Sequence, residues 1–214
     1  MTGYRLAEGL YIHPTPAGAY YAASFKENDK PRKFLRTLFQ QPETPELSLE
    51  QLHSLTGIGE AEKCLELLYH CQKLGLVQGF GEKKTPPSGS LEQLLPSLLG
   101  KISEDSRVLL ADNQGFYLAN HGFVHEAAEE LSALCTEIAR VHDRRSGLLI
   151  NNLGLNSHAW AIVNAGGSSQ AGFWPLFIGE IRFLIAIFGI PHFNQPEFVD
   201  LVWMLSIRYA ENRN

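Results

Sequence analysis

The chain has 214 residues, 44% hydrophobic and 19% charged, which is enough apolar material to bury an ordinary core in one or two domains and excludes wholesale disorder. The formal net charge is −5. Residues 1–85 carry ten Lys/Arg against ten Asp/Glu and residues 86–214 carry eight against thirteen, so neither part is charged to neutralise phosphates. The start, Met1-Thr-Gly-Tyr-Arg-Leu-Ala-Glu8, lacks the basic and apolar stretches of a signal peptide. The longest apolar run, 183–188, is far too short to span a bilayer, so no membrane insertion is expected. Cys64, Cys71 and Cys135 are an odd set without disulfide-framework spacing, which predicts a reducing, cytoplasmic setting.

In chain order, Gly9-Leu-Tyr-Ile-His13 and Ala19-Tyr-Tyr-Ala-Ala-Ser-Phe25 read as short strands joined through Pro14, Pro16 and Gly18. A helix is predicted over 30–40, with Phe34, Leu35, Leu38 and Phe39 as its apolar face. Ser48-Leu-Glu-Gln51 matches a capping box and opens a short helix ending near Thr56-Gly57. A third helix is predicted over 60–74, stopped by Gly75, and a strand over 76–80. The stretch Gly81-Glu-Lys-Lys-Thr-Pro-Pro-Ser-Gly-Ser90 is rich in Pro, Gly and charge, without periodicity. It reads as a linker over 81–89 between domains at 1–80 and 90–214.

Beyond it, Ser90-Leu-Glu-Gln93 starts a helix to about Leu99. Val108-Leu-Leu-Ala and Phe116-Tyr-Leu flank Asp112-Asn-Gln-Gly115, which is turn chemistry, and together they predict a tight hairpin over 108–120. A helix over 126–140 follows, its core stripe read as Ala128, Leu131, Leu134, Cys135 and Ile138 opposite Glu129, Glu130, Glu137 and Arg140. The stretch 147–154 fits either a helix extension or a strand. Strands are predicted at 159–163, 174–178 and 181–188, the last apolar enough to be buried on both faces. A closing helix over 196–211 has Asn194 as its cap and Pro196 in its first turn.

Candidate chemistry weighs little against packing. Cys64 and Cys71 lie on the core stripe of their helix beside Ala61 and Leu68, and no Cys-x2-Cys pair anchors a metal site with His70. His121 and His125 straddle Gly122 at a strand-to-helix junction, so their spacing does not place them on one helical face. Ala165-Gly-Gly-Ser-Ser-Gln-Ala-Gly172 lacks the Lys-Ser/Thr ending of a phosphate-binding loop and reads as a hairpin loop. No Gly-x-Ser-x-Gly elbow is present. No catalytic residue, metal or cofactor is assigned.

Three helices, a strand and a basic turn (Lys83, Lys84) resemble a winged helix. The order helix, hairpin, helix, three strands, helix over about 90–212 resembles the Roadblock family, the dynein-light-chain-like dimerising domains that include the MglB type. The resemblance implies an α+β fold: a winged-helix-like domain, then a Roadblock-like five-stranded antiparallel sheet with helices on both faces and the last strand central. It also implies a non-enzymatic, bacterial-type adaptor. The second domain would homodimerise edge to edge, pairing its long helix with its mate, and would regulate or scaffold a small Ras-like GTPase. On that basis partner binding falls to Glu126, Glu130, Glu137 and Arg140, on the polar side of the 126–140 helix. The alternative is a transcriptional regulator whose winged helix reads DNA. The third helix, which would be the recognition helix, opposes that, offering Glu60, Glu62 and Glu66 against Lys63 and Lys73. The basic cluster Lys26, Lys30, Arg32, Lys33 and Arg36 sits on the first helix, where it reads as a solvated face. A small-molecule sensor is a third reading, without a convergent polar set behind it.

Overall fold

The computed structural model describes residues 4–210. Its N-terminal part begins with strand β1 (Tyr11–Pro14), which pairs antiparallel with β2 (Val77–Phe80). Between them run α1 (Pro16–Ala23), α2 (Lys30–Phe39), α3 (Leu49–Thr56) and α4 (Ala61–Lys73). The stretch 19–25, expected as a strand, is therefore helical through Ala23. Local rules favour that outcome: Thr15 caps the helix by accepting from the Gly18 amide at 3.1 Å, and Pro16 presets the first turn. Gly18, Ala19, Ala22 and Ala23 form its buried face. Tyr20 and Tyr21 suggest β structure, but the small residues on either side of them let α1 approach the core. A Cβ on Gly18 would lie 1.9 Å from the Leu76 carbonyl oxygen, so only glycine permits this packing.

The capping box at Ser48 is half formed. The hydroxyl accepts from the Gln51 amide at 3.2 Å, while the Ser48 amide donates to the Glu46 carbonyl instead of to the Gln51 side chain. Gly57 closes α3 in the left-handed region at φ 66°. The stretch after β2 is tied back to the loop after α2: Lys84 and Thr44 exchange two hydrogen bonds of 2.9 Å, and Lys83 pairs with Glu43 at 2.8 Å.

Helix α5 (Leu91–Lys101) starts at Ser90 without the expected side-chain cap. The hairpin then forms as β3 (Val108–Ala111) and β4 (Tyr117–His121). Its turn rests on one carboxylate, Asp112 Oδ1, which accepts from the amides of Gln114, Gly115 and Phe116 at 2.8, 2.9 and 3.0 Å. Helix α6 spans His125–Ser146 and continues as a π-helical segment over Gly147–Asn152, so the ambiguous 147–154 stretch extends the helix. Strands β5 (Trp160–Val163), β6 (Ser169–Ile178) and β7 (Ile181–Phe188) follow, then α7 (Pro196–Tyr209). The N-cap of α7 is Gln195, without a side-chain bond, and not Asn194.

The five strands form one antiparallel sheet in the order β4-β3-β7-β6-β5, so the last strand is central, as expected. Alternation sorts β7 cleanly: Leu184 and Ala186 face α6, while Phe183, Ile185 and Ile187 face α5 and α7. The second face carries a core that runs through both parts of the chain, joining Phe34, Leu35 and Leu38 to Phe183, Phe198 and Trp203. The 81–89 stretch thus separates two sheets but not two cores. Leu134 leaves the expected core stripe of α6; Ala128, Leu131, Cys135 and Ala139 are buried, and Leu134 is 39% exposed. The helix is amphipathic, but its apolar residues cover more than the face that touches the sheet.

His13 lies inside that shared core, its ring 4.2 Å from Trp203 and 5.6 Å from Phe39, with neither nitrogen hydrogen-bonded. Burial, with Lys84 assisting, lowers its pKa from 6.5 to about 4. A folded value below the unfolded one means this group costs no stability above pH 6.5 and progressively more below it. Equilibrium denaturation should show about 3 kcal/mol lost through this residue as pH falls from 7 towards 4, and His13→Phe should flatten that part of the profile. Asp112→Ala should destabilise the fold by about 2 kcal/mol in the same assay, because three amides lose a charged acceptor, and Asp112→Asn should recover most of the loss.

Candidate functional site

At the free edge of the five-stranded sheet, every residue of β5 is exposed: Trp160, Ala161, Ile162 and Val163. Register places Trp160 opposite Phe173 and Ile162 opposite Ala171, so both side chains rise on the α6 face. Helix α6 covers the middle of that face and leaves the edge open. Beside Ile138, which is half-buried, Leu134 and Val141 stand at i−4 and i+3 and are 39% and 38% exposed. Leu148, seven residues further on, is 48% exposed. Leu134 and Val141 of α6, with Leu148 in the π-helical segment that continues it, therefore make an exposed apolar stripe with seven-residue spacing. The chain just after the π-helical segment adds Leu153 and Leu155, both more than half exposed.

Glu126, Glu130, Glu137 and Arg140 are all exposed on the outer side of α6. Glu130 and Glu137 flank the stripe directly, at i−4 and i+3 from Leu134, and Arg140 lies further round. Glu129, read as part of the same polar face, pairs with His125 at 3.4 Å.

Beneath the edge lies a histidine cluster. His142 of α6 accepts a hydrogen bond at Nδ1 from the Trp160 indole N–H at 3.1 Å, which fixes the neutral tautomer with the proton on Nε2. That Nε2 is buried without a partner. The His158 ring is tilted against His142 at 4.7 Å and meets Phe25 and Phe177 edge-on. Arg182 of β7 holds Asp143 through two bonds of 2.9 and 2.8 Å. Burial pushes His142 below the ordinary histidine value against the pull of Asp143. Burial first and the neighbouring His142 second push His158 down as well. The cavity these side chains enclose with Phe173, Trp174 and Leu184 is about 20 Å³, room for a single water-sized group. Nothing in the sequence joined His142 to His158, because the loop that returns the chain to β5 sets their approach. The seven-residue spacing of Leu134, Val141 and Leu148 was visible, but it merged with the core stripe.

The other candidates resolve into structure. Cys64 and Cys71 are buried, and Cys64 donates to the Ile58 carbonyl at 3.1 Å. Burial raises Cys71 to about 11 and Cys135 to about 12, the opposite of an activated thiol. His121 ends β4 and packs over Gly100, whereas His125 opens α6 and bonds the Tyr117 hydroxyl at 2.7 Å, so the pair does not converge. Among the described residues, no three His, Cys, Asp or Glu side chains group to hold a metal. The glycine-rich stretch is a turn over 164–168 folded on the Asn164 side chain, and β6 begins within it at Ser169.

The basic cluster on α2 is not a uniformly solvated face. Arg32 is buried and donates to Asp29 and to the carbonyls of Tyr21 and Glu27. Arg36 donates to the carbonyls of Ala22 and Phe25, so both guanidinium groups tie α2 to the end of α1 and the loop that follows it. Lys83 is paired with Glu43, and Lys84 Nζ stands 3.3 Å from the centre of the Phe80 ring. On α4, Glu60, Glu62 and Glu66 are exposed, with Lys63 held by Glu60 at 2.7 Å. No described helix is long and apolar enough to cross a membrane.

No family model matches the chain, and no curated protein does. Among solved structures it is similar to a Roadblock/LC7 domain from Streptomyces avermitilis, at 11% sequence identity and a TM-score of 0.35, over 56% of this chain and 93% of that one.

Proposed function

We propose that the chain is a non-enzymatic, homodimeric adaptor in which a second copy covers β5 and the apolar stripe of α6. The observation that carries this reading is the continuity of the two: a sheet edge with four exposed apolar residues runs into a heptad stripe on the adjacent helix. An unpaired apolar edge invites uncontrolled strand addition, and pairing it with its own copy about a two-fold axis satisfies its amides. The same step buries Leu134, Val141 and Leu148 against their mates. This is also the geometry that the Roadblock resemblance of the sequence implies.

In this reading the dimer presents the polar side of α6 to a protein partner, of the small Ras-like GTPase class, with Glu126, Glu130, Glu137 and Arg140 as contacts. The N-terminal part would serve as a winged-helix-like protein-binding module. What supports that assignment is the run α2, α3, α4, β2. In place of a hairpin following α4, the partner of β2 is β1 from the chain's start. Its use on protein in preference to DNA is supported by the acids on α4 and by the internal bonding of Arg32 and Arg36.

Light scattering coupled to size exclusion should give twice the 23.9 kDa chain mass. Ile162→Lys and Val141→Glu should each weaken association about tenfold or more, roughly 1.4 kcal/mol, without loss of fold by circular dichroism. A monomer at all concentrations would reject the reading. For the partner surface, Glu130→Lys with Glu137→Lys should abolish recovery of a nuclease-resistant protein partner while leaving the mass unchanged. The mass control is needed because both residues flank the stripe, and intact partner binding at unchanged mass would remove these residues from the site.

A further inference from the structure

We propose that His142 and His158 form a proton-operated latch on the edge strand β5, holding Trp160 against α6 at neutral pH and releasing it, with loss of self-association, on acidification. The inference rests on the dimer reading above and adds its regulation. Trp160 is the first residue of β5, and its ring reaches back under the edge to His142, so one hydrogen bond joins the strand's entry to the helix that carries the apolar stripe.

That bond has a single polarity. The indole only donates, so His142 Nδ1 must accept and must be unprotonated. Protonation places an N–H at Nδ1 facing the indole N–H, and two donors at 3.1 Å cannot bond. It also puts a charge on a ring whose Nε2 is buried without a partner, 4.7 Å from a second titratable ring. The groups facing the pair come from every neighbouring element. Asp143 on α6 attracts the imidazolium, but both its oxygens are occupied by Arg182 from β7, whose own charge repels it. Glu27, from the loop before α2, attracts a charge on His158 weakly, and the thiol of Cys135 on α6 stays neutral. The neutral pair is therefore the state that fits the folded edge. Its contribution is complete above the ordinary histidine value of 6.5 and is lost as pH falls below it through the lowered folded values.

The test uses the intact chain with two readouts, the dimer dissociation constant by sedimentation and the Trp160 indole N–H resonance, assigned with Trp160→Phe. Between pH 7.5 and 5.5 the wild-type constant should rise about tenfold or more while the indole resonance shifts. His142→Gln retains an acceptor without a titrating ring, so its constant should vary less than threefold over the same range. His158→Phe, which removes only the second charge, should move the transition to higher pH relative to a pair that repels. Acid unfolding through His13 is common to all these proteins and cancels in the comparison. A wild-type dimer at pH 7.5 with the same constant at pH 5.5 overturns the latch and leaves the dimer standing. Equal pH dependence in wild type and His142→Gln also overturns it. A monomer already at pH 7.5 overturns the dimer reading itself and the latch with it.

Discussion

Helix α7 lies between the sheet and the N-terminal helices, with Trp203 at its middle, 1% exposed. The indole N–H donates to the Gln41 carbonyl at the end of α2, 2.8 Å away, and the ring packs on His13 of β1. A donor and a large apolar surface are thereby satisfied by parts of the chain 162 residues earlier and more. This contact fixes α1 and α2 over the second face of the sheet, where Phe198, Leu201 and Leu205 complete the core. It leaves α6 alone on the first face. With one face covered by several helices and the other by one, the exposed apolar surface falls where the single helix runs out, at β5.

The periodic elements were legible in the sequence, and those set by distant contacts were not. The hairpin showed itself through Asp112 and Gly115 because its turn chemistry is local, and β7 through its unbroken apolar run. The helix over 16–23 was hidden because Tyr20 and Tyr21 carry β propensity, and the decisive feature is the approach of Gly18 to Leu76, far along the chain. The spacing that puts Leu134 on the core stripe of α6 is regular, yet Leu134 is 39% exposed. The sheet is narrower than the apolar arc of α6, and no local rule reports the width of a neighbour. The cluster of His142, His158 and Trp160 needed the return loop after the π-helical segment before its members met.

The charge pattern has a physical logic once the fold is known. Arg32 and Arg36 direct donors to backbone carbonyls at the end of α1 and in the loop after it, so a segment that counts as basic in the sequence presents less charge to solvent. The acids on the outside of α6 remain exposed, flanking an apolar stripe. A surface of that kind, apolar at the centre and charged at the border, has the anatomy of a protein interface more than of a phosphate-binding groove.

The two edges of the sheet are unlike. Strand β5 is apolar and bare along its whole length, whereas β4 has α5 packed along it and ends in Asn120 and His121. A copy docked on β5 consumes the one edge suited to strand addition and turns only β4 edges outward. In the proposed dimer growth by the sheet would stop at that point, the stoichiometry capped by the same asymmetry that would create the contact, and the route from a sticky edge to a fibre would be closed.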